Sequence, residues 1–390
     1  MVTASGGPTV SSTTPDATAS IRQFTADLYA RVATTPGNVV LSPYSAAIAL
    51  AMTLAGARGE TAEQISRVLH TPVDDAISSA GAIGGLGPEL SSAGRTDADV
   101  ILDVANSVWA QQGLSWDQQF LSALETGFKV SLQQVDFDVD SHGAARRINA
   151  WVAEQTHNKI TELFSPEMID ELTRLVLVNA AYFKAAWDQP FRDPTSDRRF
   201  TIADGTAVQV PTMSQTLRRV GRRSGDGWQA VRLDFVGGRM AMALVLPDGA
   251  VTDLEQTLDH RMIADLLGPY DPVGSLQVQV PKWTFRSRRT LNEDLAALGM
   301  PAAFDRDAAD FSGMTGDEPL AISTVVQEAF VAVDEEGAEA AAATGIVAVR
   351  TAALARPQTM IFDRPFLFLI FDRQTGLPVF IGRVSDPRRT

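Results

Sequence analysis

The 390-residue chain contains no cysteine. This excludes a disulfide scaffold, a thiolate nucleophile and cysteine-ligated zinc or iron–sulfur centres. It leaves the compartment open, because a chain without thiols is indifferent to redox poise. Histidine is nearly as scarce: His70, His142, His157 and His260 are the four, and none stands in an H-E-x-x-H setting. Long apolar runs are missing too. Ile48–Ala57 is interrupted by Thr53 and Gly56, and Phe366–Phe371 is shorter still; a membrane span needs about 20 residues. Residues 1–20 lack a basic cluster and an apolar core, so they do not read as a secretory signal. Their Ser/Thr/Gly/Pro content reads as a disordered tail. Lysine occurs only at 129, 159, 184 and 282, and the balance of 33 basic against 47 acidic residues gives −14. Nucleic acid is therefore a poor partner, since no basic face is available to neutralise phosphates.

Catalytic signatures are absent as well. There is no G-x-S-x-G elbow and no G-x-x-x-x-G-K-[ST] loop, and the Gly85/Gly87 cluster lacks a following helix to cradle phosphate. The many carboxylates are explained by an acidic surface. A Ser/His/Asp triad assembled across the fold leaves no local trace, but nothing here recommends an enzyme, a cofactor or a metal. The pairs Arg218–Arg219, Arg222–Arg223 and Arg288–Arg289 read as charge on strand ends and loops rather than a polyanion site. The preference for Arg over Lys, with abundant Ala, suits a high-GC bacterial gene.

What is present is a patterned chain without a linker or internal repeat from residue 21 onward, read as a single domain over 21–390. Ile21, Phe24, Leu28 and Val32 recur at helical spacing. Ser42-Pro43 supplies an N-cap and a proline at the first helical position, with Gly56 as the stop. Thr61 and Gln64 read as a capping box. Residues 81–95 read as a Gly-rich loop, Asp99–Gln111 as a strand and Ala144–His157 as a helix. Strands dominate later: Leu175–Trp187, a hairpin over Ala230–Leu246 turning at Gly237-Gly238, the alternation of Leu276, Val278 and Val280, and a hairpin across residues 372–376. Helices first and strands afterwards indicate an α+β fold.

One segment divides the local rules. Residues 335–352, EEGAEAAAATGIVAVRTA, have the alanine content of a helix. Gly337, Gly345 and the β-branched Ile346, Val347 and Val349 oppose that reading. Split by parity, Ala338, Ala340, Ala342, Thr344, Ile346 and Ala348 form one small, mostly apolar face. No proline interrupts Gly337–Ala355, so the segment is suited to be a spare strand. On local rules helix and strand are equally supported.

This segment resembles the hinge of the serpin reactive-centre loop. Three further stretches carry the same resemblance in the family's order: Asn38–Ile65, Leu177–Phe191 and Phe362–Pro387. The resemblance covers about residues 21–388 and is to inhibitory members. It implies a metastable fold of three β-sheets and about nine helices, with an exposed loop at about 336–356. In such proteins a serine protease attacks the loop and forms an acyl-enzyme. The cleaved loop then inserts into the large sheet as a new strand and traps the enzyme. No catalytic residue is required of the inhibitor.

Residue by residue, the hinge matches Glu335, Glu336, Gly337, Ala338, Glu339, Ala340, Ala341, Ala342, Ala343 and Thr344. The expected neighbour of Glu335 is Trp187. Counting Glu335 as the seventeenth residue before the scissile bond makes Thr351 the P1 residue and Ala352 P1′. A loop shorter by one residue would make Arg350 P1 and Thr351 P1′. Thr351 implies elastase-, chymotrypsin- or subtilisin-like targets, and Arg350 a trypsin-like one; the first count is preferred. The shutter, where the sheet opens, matches Ser42, Ser45 and Asn179, with Gln327 where many members carry histidine. Gln327 can donate and accept but cannot become a cation, which argues against pH-triggered opening there. Only Arg95 is basic in the region near 74–95 that matches a heparin-binding helix, so glycosaminoglycan activation is not expected. A monomer is expected, without membrane association. Secretion or the cell envelope is favoured as location.

Overall fold

A computed structural model describes residues 14–73, 76–86, 100–338 and 358–389. Among them are nine α-helices and fifteen strands, helices early and strands late. No described helix is long and apolar enough to cross a membrane.

Helix α1 (Thr14–Val32) starts earlier than the apolar periodicity suggested. Residues 14–20 therefore do not belong to a disordered tail. Pro15 and Asp16 suit a first helical turn, Ala17, Thr18 and Ser20 are buried, and Ser20 Oγ donates to the His70 carbonyl at 2.8 Å. Helix α2 (Pro43–Leu54) has every residue buried, and Ser42 caps it by accepting from the Ser45 N–H. It is a central helix, apolar all round.

Helix α3 (Gly59–Val68) is not closed by the expected capping box. Thr61 Oγ1 accepts from the Asp310 N–H at 2.8 Å, and Gln64 Oε1 from the Ala302 N–H at 3.0 Å. Both oxygens thus serve distant backbone, while Gln64 Nε2 donates to Glu60 Oε1 within the helix at 2.9 Å. Helix α4 (Ala76–Gly84) occupies the start of the stretch expected to be a Gly-rich loop. Gly84 permits close packing: a Cβ there would sit 2.7 Å from the Gly127 carbonyl.

The large sheet has the order β10 (Trp283–Thr290), β11 (Thr324–Val333), β12 (Gly337–Ala338), β4 (Leu175–Ala186), β2 (Val100–Gln111) and β3 (Gln133–Val135). Strands β11 and β4 pair directly, in parallel, from Thr324↔Val176 to Phe330↔Tyr182. Above that level β12 lies between them, antiparallel to both.

The remaining strands form a continuous network: β1 (Val39–Leu41), β15 (Leu377–Val384), β14 (Phe366–Asp372), β8 (Met240–Pro247), β7 (Trp228–Asp234), β6 (Ala207–Gly225), β9 (Asp271–Pro281) and β13 (Gln358–Ile361). Strand β5 (Asp193–Thr201) also pairs with β6. The long strand β6 joins this network, meeting β5 along Ala207–Ser214, β9 along Thr212–Arg222 and β7 along Gly221–Gly225.

Strands β8, β14 and β15 are buried along their whole length. A smaller core lies between the large sheet and α6 (Phe137–Gln155), built on Ile148, Val152, Val178 and Val326. There Trp151 meets Trp109 edge-on at 6.0 Å.

A buried ion pair ties β15 to α1 and α7 (Val251–Thr257). Arg383 Nη1 lies 2.7 Å from Glu255 Oε2, and the Tyr29 hydroxyl donates to Glu255 Oε1 at 2.6 Å. Burial, with the Glu255 charge beside it, pushes the Tyr29 hydroxyl well above its ordinary titration range. Arg383→Ala should cost about 3–5 kcal/mol by stranding a buried carboxylate. The double change Arg383→Met with Glu255→Leu should cost much less in chemical denaturation. Equal losses would show that the charges do not compensate each other.

Candidate functional site

The segment 334–338 is held residue by residue. Asp334 Oδ1 accepts from the N–H groups of Glu336 at 2.9 Å and Gly337 at 3.2 Å, forming a compact turn. The Trp187 N–H donates to the Glu336 carbonyl at 2.8 Å, and its indole Nε1 to the Asp334 carbonyl at 3.0 Å. That indole stacks on Phe235 at 4.5 Å. Trp187 thus grips the carbonyls on either side of Glu335, while the Phe191 N–H takes the Glu335 carbonyl at 2.8 Å.

The carboxylates are anchored by residues that sequence reasoning missed. Lys282 Nζ lies 2.7 Å from Glu335 Oε2, the Thr195 hydroxyl donates to Glu335 Oε1, and Arg192 Nη1 lies 2.6 Å from Glu336 Oε1. Partial burial pushes the Glu335 carboxyl up, but the bonds from Lys282 and Thr195 outweigh it and leave the group below its ordinary value. Lys282 is one of only four lysines, the single signal the sequence offered.

Gly337 and Ala338 then enter the ladder. Ala338 is fully buried, opposite Val333 on one side and Ala185 on the other. Gly337 is obligatory, because a Cβ there would overlap the Ala185 carbonyl and approach the Ala186 Cα at 2.7 Å. Glu339, Ala340, Ala341, Ala342, Ala343 and Thr344 lie outside the described residues, as do Arg350, Thr351 and Ala352. So do Arg95 and much of the 74–95 region.

Ser42, Ser45, Asn179 and Gln327 do converge, beneath the directly paired part of β11 and β4. Gln327 Nε2 donates to Asn179 Oδ1 at 2.6 Å and to the Ser42 carbonyl at 2.9 Å, while its Oε1 accepts from the Ser42 N–H at 3.1 Å. Asn179 Nδ2 donates to Ser45 Oγ at 2.6 Å. Gln327 uses both of its functions, so the amide serves the network without a charge. Asn106 was missed: its Oδ1 accepts from Ser45 Oγ at 2.9 Å and from Asn179 Nδ2 at 2.6 Å. The sheet register aligns Asn106, Asn179 and Gln327 in one transverse row, an adjacency invisible in sequence.

The side chains of two of the arginine pairs have partners nearby. Arg222 donates to Gln358 Oε1 at 2.7 Å, Arg223 to the Pro269 carbonyl at 2.8 Å, and Arg289 to Thr35 Oγ1 at 2.8 Å. Among the described residues no group of three His, Asp or Glu side chains could hold a metal.

The grip on Glu335 should depend on acid. Its folded value lies below the ordinary 4.5, so the stabilisation is complete above that pH and is lost as pH falls through the folded value. Hydrogen-exchange protection of the Trp187 and Phe191 amides should fall as pH is lowered below the ordinary 4.5 and through the folded value. In Glu335→Gln it should already be low at pH 7. Protection unchanged by acid and by the substitution would contradict this anchoring.

Comparison with known proteins places this geometry. The family model "Serpin (serine protease inhibitor)" matches residues 19–387. An uncharacterized serpin-like protein of Thermococcus kodakarensis is 38% identical over 94% of this chain and 85% of its own. The leukocyte elastase inhibitor of Bos taurus is 34% identical over 90% of this chain and 93% of its own. Among solved structures, Serpin48 of the insect Tenebrio molitor superposes with a TM-score of 0.83 at 33% identity, covering 97% of this chain and 100% of that one. Tengpin, a thermophilic serpin in its native state, gives 0.84 at 25% identity, covering 98% and 96%. The chain belongs to the serpin family, whose members are generally protease inhibitors rather than enzymes.

Proposed function

We propose that the chain, acting as one unit from α1 onward, is an irreversible suicide-substrate inhibitor of serine proteases. The observation that carries this reading is β12, a two-residue strand already seated between β11 and β4 directly above the level where those strands close on each other. The alanines that follow it are small enough to continue between the two strands.

Continuing the register of Ala338 sets Thr344 opposite both Gln327 and Asn179. A hydroxyl, which donates and accepts, then replaces the 2.6 Å bond those two amides make across the closed seam. The same register sets Glu339 opposite Lys184, an ion pair on the other face of the sheet. In that register the parity face of Ala338, Ala340, Ala342 and Thr344 would lie toward α2.

In the proposed reaction the protease serine Oγ attacks the carbonyl carbon at P1. The bond to the P1′ nitrogen breaks, that nitrogen leaves protonated, and an ester links enzyme and inhibitor. Insertion then has to outrun attack by water on the ester. The native state is held above a better-paired state that becomes accessible only after cleavage.

Thr351–Ala352 is the proposed reactive bond, with an elastase-, chymotrypsin- or subtilisin-like partner. The relationship to leukocyte elastase inhibitors favours that class. Arg350–Thr351 is the alternative, with a trypsin-like partner.

Mixing with trypsin, chymotrypsin, elastase and subtilisin in turn should give, with at least one, a band at the summed mass on a denaturing gel. The released C-terminal peptide should begin at Ala352; one beginning at Thr351 would move P1 to Arg350. Cleavage without such a band in all four would favour a non-inhibitory serpin, cleaved as a plain substrate or acting as a carrier or chaperone. Ala338→Arg should turn the inhibitor into a substrate, because a buried guanidinium has no partner at that level. An unchanged stoichiometry of inhibition would contradict insertion.

A further inference from the structure

Strands β4 and β11 both start, at Leu175 and Thr324, at the end of the large sheet farthest from β12. The chain leading into each strand there is strongly acidic. Residues 165–174 ahead of β4 and 305–320 ahead of β11 hold eight carboxylates against two cations, Arg174 and Arg306. The chain as a whole carries −14, so much of its surplus is gathered at this one pole.

The two loops form one surface. Arg174 Nε lies 3.1 Å from Glu318 Oε1, the Arg174 N–H donates to Ser323 Oγ at 3.1 Å, and Arg306 donates to the Leu172 carbonyl. Both cations are thus spent on holding the loops together. Glu167, Asp170, Glu171, Asp305, Asp307 and Asp317 are exposed around them. An open recess of about 300 Å³ is lined by Asp310, Asp317, Glu318 and Leu320, roomy enough for a lysine or arginine side chain. Leu172 stands within the ring of charge and is 58% exposed, one of five large apolar side chains so placed among the described residues.

The sheet register connects this pole to the reactive bond. Ala338 lies opposite Ala185 on β4 and Val333 on β11. Continued residue by residue, the same register would carry Val347 to the level of Val176 and Thr324, the pair at the far end of the seam. Thr351 would then pass the ends of both strands and emerge between the loops, level with Leu172 on one side and Leu320 on the other. Arg350 as P1 would emerge between the same loops one residue earlier. An enzyme esterified to either residue is held directly against the acidic rim.

We infer that this pole is a docking surface for the trapped enzyme, fitted to a serine protease of net positive charge, and that its carboxylates prolong the trapped state. The inference rests on the reading of the chain as an inserting inhibitor, and adds to it the charge of the partner. Escape requires water to attack the ester carbonyl; the serine Oγ leaves with a proton, and the inhibitor keeps a free carboxylate. For that step the enzyme's own catalytic groups have to assemble around the ester. Lysine or arginine side chains engaged by the rim and the recess hold the enzyme against the pole and oppose that assembly. An enzyme with an acidic surface meets repulsion here and escapes sooner. Each exposed pair is weak alone, but the ester fixes the two surfaces together, so several act at once.

The test uses the intact chain with whichever of trypsin, chymotrypsin, elastase and subtilisin forms the covalent band, and follows the return of enzyme activity with time. The wild-type complex should decay about threefold faster in about 0.5 M salt than in about 0.05 M. The triple variant Glu171→Gln, Asp305→Asn, Asp307→Asn should decay about fivefold faster than the wild type and lose most of the salt dependence. Acetylating the enzyme's lysines should shorten the wild-type lifetime in the same direction. Lifetimes unchanged by salt and by the triple substitution overturn the docking surface and leave the inhibitor reading intact. A variant that associates more slowly but keeps the wild-type lifetime overturns it too, because the charges then act by steering the encounter. The absence of a covalent band with every enzyme overturns the inhibitor reading, and the docking surface with it.

Discussion

The parallel ladder between β11 and β4 is the interaction on which the rest of the molecule depends. Its seven register pairs, from Thr324↔Val176 to Phe330↔Tyr182, close the large sheet down its middle. Parallel pairing is slightly less stable per residue than antiparallel pairing. A strand entering from β12 would exchange one parallel ladder for two antiparallel ones, since β12 is antiparallel to both neighbours. On the proposed reading, that exchange would pair the same strands better than the closed sheet does.

Two sets of side chains are stacked along this seam. At its top, Lys282, Thr195, Arg192 and Trp187 hold the turn from which Gly337 and Ala338 enter the ladder. Below that, Gln327 and Asn179 bridge the strands and tie them to the start of α2 through Ser42 and Ser45. Each set spans the line along which the sheet would part. Each is made of polar or aromatic contacts that can be broken singly, rather than of interlocked apolar packing.

Much of this was legible in sequence. Local rules left residues 335–352 equally open to helix and strand; Gly337 and Ala338 are strand, and the residues that follow lie outside the described ones. Ser42-Pro43 marks the N-cap of α2, and the alternation at Leu276, Val278 and Val280 matches their burial. What stayed hidden depends on register between distant strands. Asn106 is an unremarkable amide until β2 aligns it with Asn179. Local rules also misassigned Thr61 and Gln64, because a capping-box pattern does not reveal that N–H groups 249 and 238 residues away take the same atoms. The start of α1 was missed because Ser/Thr-rich composition outweighed the Thr14-Pro15-Asp16 helix start.

The central claim is that the large sheet accepts the chain after residue 338 as an additional strand. The most direct measurement is thermal unfolding of the intact protein beside protein nicked once between residues 339 and 357. The nicked form should unfold at a substantially higher temperature, because the freed segment completes the sheet and removes the parallel seam. A nicked protein that unfolds at or below the temperature of the intact one would contradict the account.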